Sequence, residues 1–177
     1  MSQSFSQSHF ELFGIEPEFR VEPERLERAY REIQARIHPD RFARAGEAEQ
    51  RASLQWTTRV NEAYTTLQDP LRRAAYLLKL NGVDCAFESN TEMPAEFLMQ
   101  QLELRESLDA ARMARDTGSL EQLQAGLRRD MRALEAEIER SIDDERDYAR
   151  AAGLVRKLRF LERLDEEIGA AFETIED

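Results

Sequence analysis

Apolar residues recur at helical spacing along most of the chain. Leu26, Tyr30, Ile33 and Ile37 follow one another at steps of four, three and four, which predicts an amphipathic helix over 22–37 with Pro23 tolerated in its first turn. Pro39 pushes its predecessor out of the helical region, so this helix is predicted to end at His38 and the triplet His38-Pro39-Asp40 to lie in a loop. Ala52, Trp56, Val60, Ala63 and Leu67 mark one face of a second helix from about 47 to 68, closed by Asp69-Pro70. The two apolar faces can pack antiparallel. Ahead of them, "HFELFGIE" is a short apolar turn with Phe10, Phe13 and Ile15 interrupted by Gly14, too short to stand without docking. Behind them, Leu71, Ala75 and Leu78 mark a shorter helix that stops at Asn81-Gly82.

Three longer patterns follow a connector at 83–93. The first runs from Met93 to Asp116 with a break near Thr117-Gly118. Leu120, Leu123, Leu127, Leu134, Ile138 and Ile142 mark the second, and Val155, Leu158, Leu161, Ile168 and Phe172 the third. Short breaks between long helices imply antiparallel neighbours and hence a three-helix bundle. The fold class is therefore all-α, with one domain at 1–82 and another at 94–177.

The first bundle helix has two apolar faces instead of one. At about 100° per residue, Phe97, Leu104, Leu108 and Ala111 share one side, and Leu98, Met99, Leu102 and Met113 another. Gln101 and Arg105 separate them on one flank. One face suffices for a bundle core, so the second calls for another partner; Glu103 and Glu106 border it, an apolar patch with an acidic rim. The alternative is a wide buried arc with methionine filling gaps. Phe160 lies roughly 95° from the apolar face of its own helix and is likewise poorly placed for the core.

Composition agrees with this picture. With 177 residues, 41% apolar, 34% charged, 7 Gly and 5 Pro, the chain suits two small helical domains, not a β-sandwich or a disordered polymer. No window approaches 18 uncharged apolar residues, so no membrane span is expected. The opening "MSQSFSQS" has neither the features of a signal peptide nor the arginines of a transit peptide. A single cysteine, Cys85, excludes an intramolecular disulfide and fits a reducing, cytoplasmic setting. The net charge of −11 argues against nucleic acid as the main partner. Residues 1–79 balance 12 Lys+Arg against 12 Asp+Glu, so 80–177 carries the whole excess, which suggests two units with different partners.

Chemistry at the triplet has several readings. Asp40 could orient His38 as a base in a small hydrolase, but adjacent positions across a proline aim the two side chains poorly, and no Ser, Thr or Cys nucleophile lies nearby. A metal would need ligands that the only other histidine, His9, and the lone Cys85 do not supply at suitable spacing. No GxxxxGK or GxGxxG loop is present for a nucleotide. A helix-ending turn that merely faces water remains open, as does a surface gripped by another protein. Arg25, Arg28, Arg31 and Arg36 stud the preceding helix, and Arg41 and Arg44 lie just beyond it.

The order "HFELFGI", "LERAYREIQARIHPDRF", "RVNEAYTTLQDPLRRAAYLL" resembles a J-domain, in which an antiparallel helical hairpin presents an HPD loop. "AEFLMQQLELRESLD" and "VRKLRFLERL" are similar to the C-terminal domain of the HscB family, J-type co-chaperones of iron–sulfur cluster assembly. The resemblance spans nearly the whole chain. It implies a protein without an active site, cofactor or metal of its own. Its J-domain would dock on an HscA-like, DnaK-class chaperone and stimulate ATP hydrolysis there, and its bundle would deliver the scaffold protein IscU; a J-protein serving a different client is the rival reading. By motif, the chaperone contacts are His38, Pro39 and Asp40, with Tyr30, Arg31 and Arg41 beside them. The scaffold contacts are Leu98, Met99, Leu102, Glu103, Glu106 and Phe160. Two departures stand out: Ala110 occupies a position where the family can carry an acidic residue, and the cysteine-rich N-terminal metal module of some relatives is not found here.

Overall fold

The computed structural model describes residues 7–42, 45–85, 87 and 93–176. Arg44 and most of the connector, at 86 and 88–92, lie outside the described residues. The elements are α1 (His9–Phe13), α2 (Pro23–Ile37), a 3₁₀ turn (Pro39–Phe42), α3 (Glu47–Gln68), α4 (Pro70–Leu80), α5 (Ala95–Met113), α6 (Thr117–Glu139), a π turn (Arg140–Asp144) and α7 (Tyr148–Glu176). No strand occurs among the described residues. The fold is all-α, and the chain divides into two compact units, 1–77 and 78–177.

In the first unit, α1 survives at five residues because both of its ends are capped. The Ser8 hydroxyl accepts from the Glu11 N–H and the Glu11 carboxylate from the Ser8 N–H, a capping box. These bonds, the backbone one foremost, hold the Glu11 carboxyl below its ordinary pKa. Gly14 then takes φ 63°, a left-handed C-cap that a side chain would strain. Phe10, Phe13, Leu26, Val60, Ala63 and Leu67 are buried, and α2 packs on α3. Two details of the face assignment change. On α3 the buried residue near the N-terminus is Ser53, not Ala52, and Trp56 is only half-buried; on α4, Ala74 and Leu77 are buried where Ala75 is not. Ser53 can be buried because its hydroxyl donates to the Ile37 carbonyl at 2.6 Å, an interaction that apolar periodicity does not reveal.

In the second unit, partner offsets give the helix directions. Phe97 meets Phe160, Arg105 meets Glu167, and the Arg115 guanidinium donates to the Ile175 carbonyl, so α5 and α7 run parallel. Arg128 pairs with Asp165 and Glu137 with Arg150, so α6 runs antiparallel to α7. Phe97, Leu108, Ala111, Leu120, Leu127, Leu161, Leu164 and Ile168 form the core of this three-helix bundle. The break between α5 and α6 lies earlier than Thr117-Gly118. Arg115 turns to φ 52°, and the Asp116 carboxylate accepts from the Ser119 N–H at 3.1 Å and the Ser119 hydroxyl at 2.6 Å. Asp116 is thus an N-cap that draws both residues into the first turn of α6, glycine notwithstanding.

Candidate docking surfaces

The loop after α2 is tied down at several points. His38 adopts φ −54° and ψ 129°, as a residue before proline should, and Pro39–Phe42 form one 3₁₀ turn. The Arg41 guanidinium folds back to donate to the Ala35 carbonyl at 2.8 Å, satisfying an orphan acceptor at the end of α2. The Arg41 N–H donates to the His38 carbonyl at 3.0 Å. His38 Nδ1 lies 3.3 Å from the Asp40 N–H and 3.5 Å from Asp40 Oδ2. Nδ1 is thus engaged within the turn, and Nε2 takes no part in either contact. Both side chains are open to water, at 55% and 90% exposure.

Tyr30 is used largely inside the unit. Its ring stacks on Tyr64 at 4.0 Å and its hydroxyl donates to Asn61 Oδ1 at 3.0 Å, while Gln34 Nε2 reaches both oxygens. Only part of the ring surface remains open. The sequence reading missed this α2–α3 clamp; Gln34, four residues after Tyr30 on the same helix face, was the available signal. Arg31 is different: it is exposed and pairs with Glu27 one turn back, a surface pair whose loss costs little.

The first helix of the bundle does present two faces. Phe97, Leu108 and Ala111 are buried and Leu104 packs beside them, whereas Leu98, Met99 and Leu102 are 45%, 65% and 60% exposed. Glu103 and Glu106 are exposed beside this stripe, and Arg105 between them in sequence is neutralised by Glu167 at 3.2 Å. Gln101, read as a separator, is buried. Phe160 corrects the expectation drawn from its helix: its ring is half-buried, packs against the bundle core and meets Phe97 edge-on at 6.3 Å between centroids. The Phe97 ring extends the core on that side, so a residue well off the mean apolar direction still finds a partner. Among the described residues no three His, Cys, Asp or Glu side chains gather in a way that could hold a metal ion. No helix there is long and apolar enough to cross a membrane.

A helical hairpin presenting an HPD loop, followed by a separate helical bundle, defines a J-domain co-chaperone with its own C-terminal domain. Residues 8–76 match the DnaJ domain, and residues 93–169 match the HSCB C-terminal oligomerisation domain. The chain is 46% identical to the co-chaperone protein HscB homolog of Aromatoleum aromaticum, over 99% of each chain, and 48% identical to that of Burkholderia multivorans, over 98% of each. Among solved structures it resembles the chaperone HscB from Vibrio cholerae (TM-score 0.84, 32% identity, 96% of this chain and 99% of that one). It also resembles human co-chaperone protein HscB (TM-score 0.90, 26% identity, 96% and 84%). The chain belongs to the HscB co-chaperone family.

Proposed function

We propose that this co-chaperone docks on an HscA-like, DnaK-class chaperone through His38, Pro39 and Asp40, assisted by Arg31, Arg41 and the open part of Tyr30, and so stimulates ATP hydrolysis by that partner. In this reading the J-domain covers 1–82, the connector 83–93 and the bundle 94–177. The bundle holds an IscU-like iron–sulfur scaffold on Leu98, Met99, Leu102, Glu103, Glu106 and Phe160 and brings it to the chaperone in the cytoplasm, aiding cluster maturation. The chain supplies no catalytic group. His38 and Asp40 stand in open water, where an imidazole–carboxylate pair lacks the exclusion of solvent that would strengthen it.

The observation that carries the reading is the contrast within α5, whose buried face completes the bundle while three large apolar side chains one face away stay in water. An exposed apolar centre flanked by charge is the anatomy of a protein interface. The test is single-turnover ATP hydrolysis by the DnaK-class chaperone with this chain, IscU, both or neither. Stimulation by the chain, increased further by IscU, supports the reading. Stimulation that IscU does not change would point to a different client.

A further inference from the structure

We propose that Met99 is a peroxide-responsive site in the α5 stripe, at which conversion of the thioether to the sulfoxide by a hydroperoxide releases the docked client. This rests on the scaffold-docking reading above and adds a mode of regulation to it. Met99 sits in sequence beside Leu98 and three residues before Leu102, so it belongs to the exposed apolar group, and at 65% exposure its thioether can be reached without any opening of the bundle. Neither leucine has redox chemistry. The lone thiol does not compete: Cys85 is buried, and burial pushes it up to about 11 against the pull of nearby Arg156, which leaves almost no thiolate at neutral pH. Met93 and Met131 are partly buried against the bundle core. Met113 is exposed as well, but fourteen residues on, about 21 Å farther along the helix axis.

The chemistry is a two-electron oxygen transfer. A sulfur lone pair attacks the terminal, hydrogen-bearing peroxide oxygen, and an S–O bond forms as the O–O bond breaks. The departing hydroxide or alkoxide takes the proton of the new S–OH group, through water, to become water or an alcohol and leave the neutral sulfoxide. A flexible apolar side chain becomes a polar one whose oxygen demands a hydrogen bond. In water that demand is met. Under a docked apolar surface it is not, so the penalty falls on the complex and not on the free bundle.

The test treats the full chain with hydrogen peroxide, removes the excess with catalase, and measures sulfoxide at each methionine by peptide mass and then the Kd for untreated IscU. The expected result is sulfoxide at Met99 and Met113 ahead of Met93 and Met131, helicity unchanged, and Kd weakened by at least tenfold, about 1.4 kcal/mol. Methionine sulfoxide reductase should restore the affinity. The Kd of Met99→Leu, whatever its value before treatment, should not change on the same treatment, and Met113→Leu should give no protection. A chain carrying Met99 sulfoxide that binds like the untreated one overturns the inference, as does protection by Met113→Leu alone. Failure of the untreated chain to bind IscU instead overturns the docking reading on which it rests.

Discussion

The loop at 38–40 and the stripe at 98–102 both face solvent, but the loop is held by hydrogen bonds while the stripe is held only by the helix beneath it. Arg41 is tied to Ala35, Ser53 to Ile37, and Tyr30 to Asn61 and Tyr64, so the bonds around His38 fix a backbone shape and leave polar tips outward. Leu98, Met99 and Leu102 need no such support, because consecutive positions on a rigid helix are already ordered. The first arrangement suits recognition by a few directional contacts, where geometry decides. The second suits burial of area, where removal of water contributes most. In the proposed function, that division matches a lever that must trigger a partner and a platform that must hold a client.

Removing the imidazole is the sharpest way to break the comparison. His38→Gln should lower stimulation of the chaperone ATPase to near its basal rate, a loss of roughly tenfold or more. Its unfolding free energy should stay within about 0.5 kcal/mol of the parent, since an exposed loop side chain supports little else. Single-turnover hydrolysis and a urea melt on the same preparation check both halves. Full stimulation by the variant would remove the triplet from the docking surface.

Phe160 and Leu98 separate holding a client from holding the bundle. Leu98→Ala should weaken IscU affinity by about 1–2 kcal/mol with melting almost unchanged, because its side chain stands in water in the free protein. Phe160→Ala should do both, costing the bundle about 1–3 kcal/mol through the lost contact with Phe97 and the core, less than a fully buried phenylalanine would. Calorimetry of binding and thermal melts on the two variants measure this split. A Leu98 variant that melts early would place the stripe in the core.

On the J-domain side, order near the N-terminus should depend on pH through His9. Its ring stacks on Tyr76 at 4.2 Å, its backbone N–H donates to the Tyr76 hydroxyl at 3.0 Å, and Nδ1 is buried with no hydrogen-bond partner among the described residues. Desolvation lowers its pKa below 6.5, with Glu62 pulling the other way and Arg59 reinforcing the drop. The unfolded chain therefore takes up the proton first. This contribution to stability is complete above the unfolded pKa and declines as pH falls from about 6.5 toward the lower folded value. Urea midpoints at pH 7.5 and 5.5 should show a larger drop for the parent than for His9→Gln; equal drops would mean that the ring is not desolvated.

Much of this was legible in the residues, for identifiable reasons. Pro39 determines the helix end through sterics alone, and the apolar step pattern marks α2, α5 and α6 because burial selects one face of each. The double face of α5 was visible for the same reason. What periodicity could not show were positions decided by a specific hydrogen bond or a neighbouring helix. Ser53 is buried through Ile37, Asp116 outranks Gly118 as a terminator by capping, and Phe160 finds Phe97 on another helix. Each depends on a partner's identity, which a hydrophobic pattern does not encode.

The smallest effect concerns the rim. Glu103 and Glu106 are exposed, so their fields reach an approaching client through water and are screened over about 8 Å at physiological salt. Glu103→Gln and Glu106→Gln should each cost about 0.2–1 kcal/mol of IscU affinity at low salt, mainly through slower association. Leu98→Ala should instead act on dissociation, because the area it contributes is felt only after docking. Stopped-flow association at 20 and 500 mM salt distinguishes the two. The glutamine variants should converge on the parent at high salt, and the Leu98 variant should not. If the rim variants stayed weak in high salt, their carboxylates would be desolvated in the complex and would belong to the centre of the interface instead of its edge.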